Sequence, residues 1–418
     1  MTRFAAMILS FALLLYGVLG ASTATAQQTV GSVSALREAL SAPASNAVIL
    51  LEPGDYGVLQ LRGLRGGVTL RSADPSDMAR FSGLLIEDVE SLTLDRLAFY
   101  YRFSPDDIKE QQSFRVANSR DITISGSVFT GDMARSSNAA DNGYPSGTGL
   151  IIRWSQNVTV VDSAIRQFLT GLAVMESDQV AIKSNDFSGM RRDAMNFAQV
   201  TDVLIERNNI HDFNRSPTSG DHPDMIQFWT TATHSPSQNI TIRNNVFNSG
   251  NGLYTQTIFM RNEKVDQGQA GAELYYRNIE ITDNLILNAH LHGITVGEVD
   301  GLTIARNTLL QNPLSADGPL TDELWVPRIN VTSRAKNVSI INNVVSDIRG
   351  FDGQRDWQVD GNVVVQPRSS MAPGYYPTVF DFAPDADRAD LRSYRIRPGG
   401  PADNSRVGSG ILRNLNVE

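Results

Sequence analysis

The chain has 418 residues, enough for one large domain or two or three small ones. Hydrophobic residues make up 41% and charged residues 19%, a composition that argues against disorder and against a coiled coil. Its net charge of -9 argues against a general nucleic-acid binder, because phosphate contacts need a basic surface. It has no cysteine, which excludes disulfides, iron–sulfur clusters, thiolate zinc sites and a cysteine nucleophile.

Residues 1–26 have the pattern of a secretory signal peptide. Arg3 supplies the basic start, residues 4–19 are almost wholly apolar, and Ala24-Thr25-Ala26 fits the small-residue cleavage rule. A membrane anchor is the alternative, but the apolar run is short and no stop-transfer charges follow it. No later run is long enough to span a bilayer. We therefore expect a mature chain from about Gln27, located in the periplasm or outside the cell.

An amphipathic helix is predicted over residues 32–40 (SVSALREAL), before a strand pattern in residues 48–61 (VILLEPGDYGVLQL). A helix at this place can cover the open first turn of a repeat structure, whose end would otherwise expose unpaired strand edges.

A repeat of the form apolar-x-apolar-x-x-Asn-x-apolar then runs through the chain. Its clearest copies include VLIERNNI (203–210) and ITIRNNVF (240–247). Intervals between successive copies range from 22 to 39 residues, which fits a bare turn of about 22 residues with or without an inserted loop. The sixth position of the repeat is polar throughout: Ser127, Ser163, Asn185, Asn208, Asn245, Asn284, Asn307 and Asn343.

Each repeat reads as a short strand that cannot bury its apolar face alone. Stacking the turns roughly 4.8 Å apart pairs every strand with the next and builds one continuous core. The repeated asparagine is then a structural ladder inside the turns. A TIM barrel would need eight amphipathic helices, and a propeller would need antiparallel blades with a longer period. The sequence therefore predicts a parallel β-helix.

Two end segments resemble those of pectate-lyase-like β-helix proteins. The first is Leu51–Tyr56 (LEPGDY), and the second is the segment 394–410 (YRIRPGGPADNSRVGSG). The resemblance implies an all-β, single-stranded, right-handed parallel β-helix with an N-terminal capping helix. It also implies one domain over residues 27–418, with core repeats over about 48–346 and a closing segment over about 347–418.

The ladder sets the register of a second set of strands, fifteen residues before it. These strands alternate apolar and other residues, so the residues between the apolar ones should face outward. One outward row contains Ala173, Asn196, Gln227, Phe259 and Thr295. The next contains Arg153, Met175, Ala198, Trp229, Arg261 and Gly297. The strands begin at Asp193, Asp224, Gln256 and His292.

Three inserted segments should flank this sheet, namely residues 130–147, 213–223 and 230–238. Long loops beside a rigid face form the walls of a groove. A groove along a solenoid suits a long polymer, because the repeat spacing offers successive subsites.

The densest group of reactive residues is Asp221-His222-Pro223-Asp224. A turn of this composition can be purely structural. A histidine between two carboxylates at the start of a strand is also a good general base, because the acids orient the ring and raise its pKa. We interpret His222 as the catalytic base, with Asp221 and Asp224 beside it.

Other residues are candidates for the same groove. Arg261 can hold a sugar carboxylate, Trp229 can stack on a sugar ring, and His292 is a candidate proton donor. Further candidates for substrate binding are Arg153, Arg191, Arg192, Asp193, Asn196, Gln227, Lys264 and His290. His290 and His292 lack a third ligand with diagnostic spacing, so no zinc site is predicted.

The Asp-His-Pro-Asp element resembles the Asp-Pro-His-Asp element of periplasmic mannuronan epimerases, with histidine and proline exchanged. That resemblance implies a base role for His222 and a carboxylate-neutralising role for Arg261. Chondroitinase-B-like alginate lyases use a lysine and an arginine on successive turns together with calcium. Similarity to them would involve Lys264 and Arg261, and it makes calcium a candidate cofactor.

The resulting hypothesis is a monomeric lyase that cleaves an acidic, uronic-acid-containing polysaccharide by β-elimination. Three alternatives remain open at this point. They are a uronate epimerase, a glycoside hydrolase using Asp193, Asp221 and Asp224, and a non-catalytic protein that binds or assembles exopolysaccharide. A basic groove formed by Arg153, Arg191, Arg192 and Arg261 is expected for the acidic substrate.

Overall fold

The structure is a computed structural model that describes residues 27–315, 325–383 and 386–415. The predicted signal peptide, residues 1–26, lies outside the described residues. Within those ranges, no helix combines the length and the apolar character needed to cross a membrane.

Three long parallel sheets form the body of the protein, and two short antiparallel pairs are added to them. Sheet A has 13 strands: β1 (Gln27–Val30), β2 (Ala47–Leu51), β4 (Val68–Ser72), β7 (Glu90–Asp95), β10 (Arg120–Ser125), β15 (Gln156–Val161), β18 (Asp178–Lys183), β21 (Thr201–Glu206), β24 (Gln238–Arg243), β27 (Tyr276–Thr282), β30 (Val299–Ala305), β33 (Lys336–Ile341) and β36 (Gln358–Asp360). Sheet B has 11 strands: β5 (Arg80–Phe81), β8 (Ala98–Tyr100), β11 (Val128–Thr130), β16 (Ala164–Arg166), β19 (Asp186–Ser188), β22 (Asn209–His211), β25 (Val246–Asn248), β28 (Leu285–Asn288), β31 (Thr308–Gln311), β34 (Val344–Val345) and β37 (Val363–Val364). Sheet C has 11 strands: β3 (Val58–Arg62), β6 (Gly83–Glu87), β9 (Phe114–Ala117), β14 (Thr148–Arg153), β17 (Thr170–Met175), β20 (Asp193–Ala198), β23 (Asp224–Phe228), β26 (Gln256–Met260), β29 (His292–Val296), β32 (Arg328–Val331) and β35 (Ile348–Arg349).

The remaining elements are short. The antiparallel pairs are β12 (Asp132–Met133) with β13 (Pro145–Ser146), and β38 (Phe380–Asp381) with β39 (Arg395–Ile396). The α-helices are α1 (Val33–Ser41), α2 (Glu263–Asp266), α3 (Tyr376–Val379) and α4 (Gly410–Asn414). Single 3₁₀ turns cover Ala272–Leu274, Pro313–Ser315 and Leu391–Ser393.

The chain visits the three sheets in the repeating order A, B, C, and each round is one coil of a parallel β-helix. From β7 onward, the connection from sheet A to sheet B is always two residues long. Longer connections occur only at the two corners beside sheet C, such as 101–113 and 212–223 before its strands and 229–237 and 261–275 after them. The outer face of sheet C therefore lies between two rows of inserted segments, as the sequence predicts for a groove.

The core fills the inside of the coils. The predicted inward pairs of sheet C, from Leu172 and Val174 to Ile294 and Val296, are at most 1% exposed. They belong to one continuous hydrophobic cluster that runs along the solenoid. Every strand of the three sheets thus contributes alternate side chains to this core and pairs its backbone with the next coil.

The predicted asparagine ladder is present at the A-to-B turns. The backbone N–H of Asn185 donates to the side-chain oxygen of Asn208 (2.9 Å), and that of Asn208 donates to Asn245 (2.9 Å). The Asn208 amide in turn donates to the carbonyl of Ile182 in the previous coil (2.9 Å). The same pattern continues through Asn343 to Asn362, a further member that the repeat count had not included.

The residue before each ladder position takes a left-handed backbone conformation, for example φ of 55° at Arg207 and at Asn244. This conformation reverses the chain within two residues, and the buried asparagine then satisfies the backbone groups that the turn exposes. Serines repeat the arrangement at several C-to-A turns, where the N–H of Ser119 donates to Ser155 and that of Ser155 to Ser177.

Both ends differ in detail from the expected boundaries. Helix α1 is present, capped by the Ser32 hydroxyl, but a strand of sheet A (β1) precedes it. The coils continue to β37, so the repeats extend past the expected end near residue 346. The segment after β37 packs Tyr376, Phe380 and Tyr394 against the outward side chains of sheet B, and it therefore covers one side of the solenoid.

Replacing Asn208 with alanine should destabilise the protein by about 2–4 kcal/mol, because it leaves buried backbone groups of Asn185 and Ile182 without partners. The neighbouring Asn209 is exposed, so Asn209→Ala should change the free energy of unfolding by at most about 0.5 kcal/mol. Urea denaturation followed by circular dichroism measures both. Equal effects of the two substitutions would contradict a stabilising role for the ladder.

Candidate functional site

The floor of the groove is the outward row of sheet C that the sequence predicts. Strand pairing aligns Ala173 with Asn196, Asn196 with Gln227, Gln227 with Phe259, and Phe259 with Thr295. The row continues to Asn330 and Arg349. Its middle therefore offers amides, a hydroxyl and an aromatic ring, groups that suit sugar hydroxyls and sugar faces.

His222 lies at the edge of this floor, in the last residues before β23. Its side chain is 64% exposed, and its Nδ1 lies 3.3 Å from a carboxylate oxygen of Asp224, which is fully buried. The hydrogen bond to Asp224 raises the pKa of His222 above its ordinary value, and the charges of Asp224 and Asp193 add to the effect. With Nδ1 directed at the carboxylate, Nε2 is the ring atom available to a ligand.

Asp193 and Asp224 form a buried pair of carboxyl groups on adjacent strands. The backbone N–H of Asp224 donates to Asp193 (3.1 Å), and Asn196 donates to the other Asp193 oxygen (2.9 Å). Burial raises the pKa of both groups, and the negative charge of Asp193 raises that of Asp224 further. Neither carboxyl faces the open groove, in contrast to the position expected from the strand starts.

Arg192 is the cation that the structure brings nearest to this pair. Its Nε lies 3.2 Å from Asp193, one terminal nitrogen contacts Glu110 (3.2 Å), and the other donates to Thr170 (3.1 Å). Its side chain is 27% exposed. The guanidinium is thus fixed in place, and its charge is felt at His222, where it opposes protonation.

Asp221 does not flank His222 as the sequence suggested. Its carboxylate pairs with Lys109 (2.8 Å) and with Arg191 (2.8 Å), and Arg191 also pairs with Asp141 (2.7 Å). Burial alone would raise the pKa of Asp221, but the bond from Lys109 and the charge of Arg191 outweigh it and lower the pKa to about 2. Arg191 is only 1% exposed and cannot line the groove. The network joins the three inserted segments that hold Lys109, Asp141 and Asp221 to the short connection before β20 that holds Arg191.

His290 and His292 stand two coils beyond His222 on the same edge. Their rings lie 5.1 Å apart, and His292 packs edge-on against Phe259 (5.0 Å between centroids). Burial, reinforced by nearby positive charge, lowers the pKa of His290 to about 3 and that of His292 to about 4. His292 is therefore unprotonated near neutral pH, which disfavours the expected role as proton donor.

Arg261 lies at the opposite edge of sheet C from His222. Asp224 is aligned with Gln256, and Arg261 follows Gln256 by five residues, or roughly 17 Å of extended strand. Its guanidinium pairs with Asp266 (2.9 Å) and is half exposed. The structure therefore does not bring Arg261 and His222 into one constellation.

The other candidates on that far edge are also engaged. Arg153 pairs with Glu176 (2.7 Å) and stacks on Trp154 (4.0 Å). The Lys264 ammonium donates to the carbonyl of Thr233, and Trp229 is half-buried. All four arginines expected to make the groove basic thus have carboxylate partners.

Histidine and acidic side chains are the candidate metal ligands among the described residues. No group of three or more of them there has the arrangement to hold a metal ion. The calcium considered from the sequence stays a prediction.

Two groups near the site were not anticipated from the sequence. Lys109 and Glu110 reach the site from the loop before β9, far from His222 in sequence. Arg328 begins β32 and is aligned with His292. The pairing of β29 with β32 shifts by one residue just after this position, so the spacing of the repeat does not predict the place of Arg328. Periodicity could have indicated the coil of Arg328 but not its place within that coil.

The low pKa of Asp221 predicts a stability difference that depends on pH. Its ion pairs contribute about 2 kcal/mol above pH 4, and this contribution is lost as the pH falls from about 4 towards 2, because the carboxylate then binds a proton in the folded state. Asp221→Asn should therefore be less stable than the wild type at pH 6, with the gap narrowing below pH 4. Urea denaturation at each pH measures it, and a gap that does not change with pH would contradict the ion-pair assignment.

The comparisons with known proteins concern the fold. A family model described as a right-handed beta helix region matches residues 82–257. The surface adhesin PfbA of Streptococcus pneumoniae is 13% identical, with 68% of this chain and 86% of that chain covered and a TM-score of 0.47. The PL6 family alginate lyase AlyGC is 15% identical, with 92% of this chain and 58% of that chain covered and a TM-score of 0.45. Pectate lyase Pel9A is 12% identical, with 86% of this chain and 84% of that chain covered and a TM-score of 0.43. No curated protein matches the chain. The family model confirms the predicted right-handed parallel β-helix fold over the residues that it matches.

Proposed function

We propose that the protein is a polysaccharide lyase that cleaves a uronic-acid-containing polymer by β-elimination in the groove of sheet C. The observation that carries the proposal is the environment of His222. An exposed imidazole at the groove edge is oriented by the buried Asp224, and the guanidinium of Arg192 is fixed nearby. An exposed, carboxylate-oriented histidine has the geometry of a general base.

The proposed reaction needs only a proton acceptor and charge stabilisation. The Nε2 atom of His222 takes the proton from carbon five, the bonding electrons form a double bond between carbons four and five, and the bond from carbon four to its oxygen breaks. The departing oxygen takes a proton, which the newly formed imidazolium can return. One histidine with a raised pKa can thus serve as base and then as acid.

Arg192 takes the role that the resemblance assigned to Arg261. Proton removal next to a carboxylate develops enolate charge, and a guanidinium held in advance stabilises that charge without reorganisation. The contacts of Arg192 with Asp193, Glu110 and Thr170 provide this fixed position. Arg192 directly precedes β20 and His222 precedes β23, so both lie at the same edge of sheet C.

Phe259 and His292 would bind the sugar chain one and two coils further along, respectively. The aromatic ring of Phe259 lies on the floor row, and the unprotonated imidazole of His292 lies edge-on against it. A neutral aromatic pair can pack against the apolar face of a sugar ring. Gln227, in the coil of His222, and Asn196, one coil before it, would contact sugar hydroxyls.

The environment of the carboxyl groups counts against hydrolysis. Hydrolysis needs two carboxyl groups that reach the glycosidic bond from opposite sides. Asp193 and Asp224 are buried next to each other, and Asp221 is held as a carboxylate by Lys109 and Arg191. An epimerase would use the same proton abstraction, and it differs only in returning the proton to carbon five instead of breaking the bond at carbon four.

We further propose that residues 1–26 act as a signal peptide, so that a mature chain from about Gln27 works in the periplasm or outside the cell. The proposed mature chain is one solenoid domain that acts as a monomer. A long polysaccharide is accessible to an enzyme in either compartment.

His222→Ala should abolish product formation by the purified protein, because no other exposed imidazole lies at this place in the groove. The assay is the ultraviolet absorbance of the unsaturated uronate formed from alginate, pectate or glycosaminoglycans. His234→Ala is the matched control, since His234 is exposed in a loop on the other edge of sheet C, and it should retain wild-type activity. New reducing ends without the absorbance band would indicate hydrolysis and overturn the proposal.

The pH profile should report the contact between His222 and Asp224. We expect kcat/KM to rise with pH through a midpoint above 6.5. The imidazole of His222 must lose its proton to act as a base, and the contact with Asp224 stabilises the protonated imidazole and so raises its pKa. In Asp224→Asn the midpoint should move to lower pH, and the plateau should fall at least tenfold because the ring is no longer oriented. Asp186→Asn, which alters the contact to His211 on sheet B, is the control and should leave the profile unchanged. An unshifted midpoint in Asp224→Asn would contradict the assignment.

A further inference from the structure

A cleft lies beyond the histidine pair, where the last strands of sheet C meet the segment after β37. Its volume is about 280 Å³. Residues 366–368 of that segment line the cleft together with Arg328 and Arg349, which belong to β32 and β35 of sheet C. The lining residues are Val326, Arg328, Ser346, Asp347, Arg349, Gln366, Pro367 and Arg368.

The charge of this cleft is not balanced. Three guanidinium groups line it against one carboxylate, and Arg349 pairs with that carboxylate, Asp347. Arg328 and Arg368 have no carboxylate within ion-pair distance in the part of the chain that the structure describes. This contrasts with Arg153, Arg191, Arg192 and Arg261, which have carboxylate partners, and with the net charge of -9 for the whole chain.

The cleft is also held in shape before any ligand binds. The Gln366 side chain accepts hydrogen bonds from the backbone of Arg368 and Ser369 (2.8 Å each) and donates to the carbonyl of Ser369 (2.7 Å). The Nε of Arg328 donates to Asn330 (2.9 Å), which leaves its terminal nitrogens for another partner. Arg328 thus presents an oriented guanidinium, and the fixed backbone at Arg368 places a second one at the same cleft, an arrangement that suits a carboxylate.

The cleft continues the proposed substrate path. Strand pairing runs from β23 through β26 and β29 to β32, three coil spacings or about 14 Å from the level of His222 to that of Arg328. A polymer that follows the edge of sheet C from His222 past His292 would reach Arg328 after a few sugar rings. Its charged groups would then meet Arg328 and Arg368, which have no carboxylate partner among the described residues.

We propose that this cleft is a remote subsite that binds the carboxylate of a uronic-acid residue through Arg328 and Arg368. The proposal rests on the function proposed above, and it specifies that the substrate carries charge several sugars from the bond that is cleaved. The subsite contributes to affinity and to the placement of the polymer, while His222 carries out the chemistry.

The test is isothermal titration calorimetry at low salt with the full chain carrying His222→Ala, so that bound sugar is not consumed. The probes are hexasaccharides of alginate and of polygalacturonate, a neutral cellohexaose, and sodium sulfate. We expect a uronate hexasaccharide to bind, and Arg368→Gln and Arg328→Gln each to weaken that binding fivefold or more. Arg277→Gln, which removes an exposed arginine on sheet A, should change the Kd less than twofold.

Several results would overturn the subsite. The first two are that neither uronate hexasaccharide binds and that the neutral hexasaccharide binds equally well. The others are that Arg368→Gln leaves the Kd of the uronate hexasaccharide unchanged and that only the binding of sulfate depends on Arg368. Arg368 is exposed, so its substitution should leave the circular dichroism spectrum intact even if Arg328→Gln disturbs the fold. Turnover by the protein with His222 intact separates the two proposals. Turnover with an unchanged Kd in Arg368→Gln rejects only the subsite, whereas Arg368-dependent binding without unsaturated product rejects only the lyase.

Discussion

The ladder of buried amides at the A-to-B turns is the constraint on which the rest of the structure depends. Each turn reverses the chain through one left-handed residue and exposes backbone groups that no strand can pair. The asparagine of the next coil satisfies these groups, so one coil cannot change length at this corner without breaking its neighbours. From β7 onward, insertions are consequently confined to the two corners of sheet C, and the groove follows from that confinement.

Ion pairs help to hold the inserted loops in place, in addition to loop residues such as Tyr101 and Phe213 that join the hydrophobic core. Lys109, Asp141 and Asp221 come from three inserted loops and meet Arg191, from the short connection before β20, at the edge where His222 stands. Replacing a whole buried ion pair by apolar side chains often costs little stability, but removing one partner leaves a buried charge unpaired, so such pairs fix geometry effectively. The exposed ring of His222 therefore stands on a rigid support next to Asp221.

Periodicity explains how much of this could be predicted. The core positions, the ladder and the floor row from Asn196 to Thr295 depend on a repeat that the sequence displays openly, and the structure places them as expected. The ion pairs do not repeat: Lys109 and Asp221 are 112 residues apart in sequence and meet through two loops. Arg261 was assigned to the correct coil but lies at the opposite end of its strand from the position expected. The coil gives the position along the solenoid axis, and it does not give the position along the strand.

The two imidazoles at this edge of sheet C differ because their neighbouring groups differ. His222 and His292 stand on one edge of one sheet, yet their protonation is opposite in tendency, because His222 faces a buried carboxylate while His292 is buried near Arg328. A carboxylate bound at Arg328 would offset that positive charge and make His292 easier to protonate. A substrate carboxylate bound in the cleft would thus raise the pKa of His292, which lies in the groove between the cleft and His222. A neutral chain of the same shape could not have this effect.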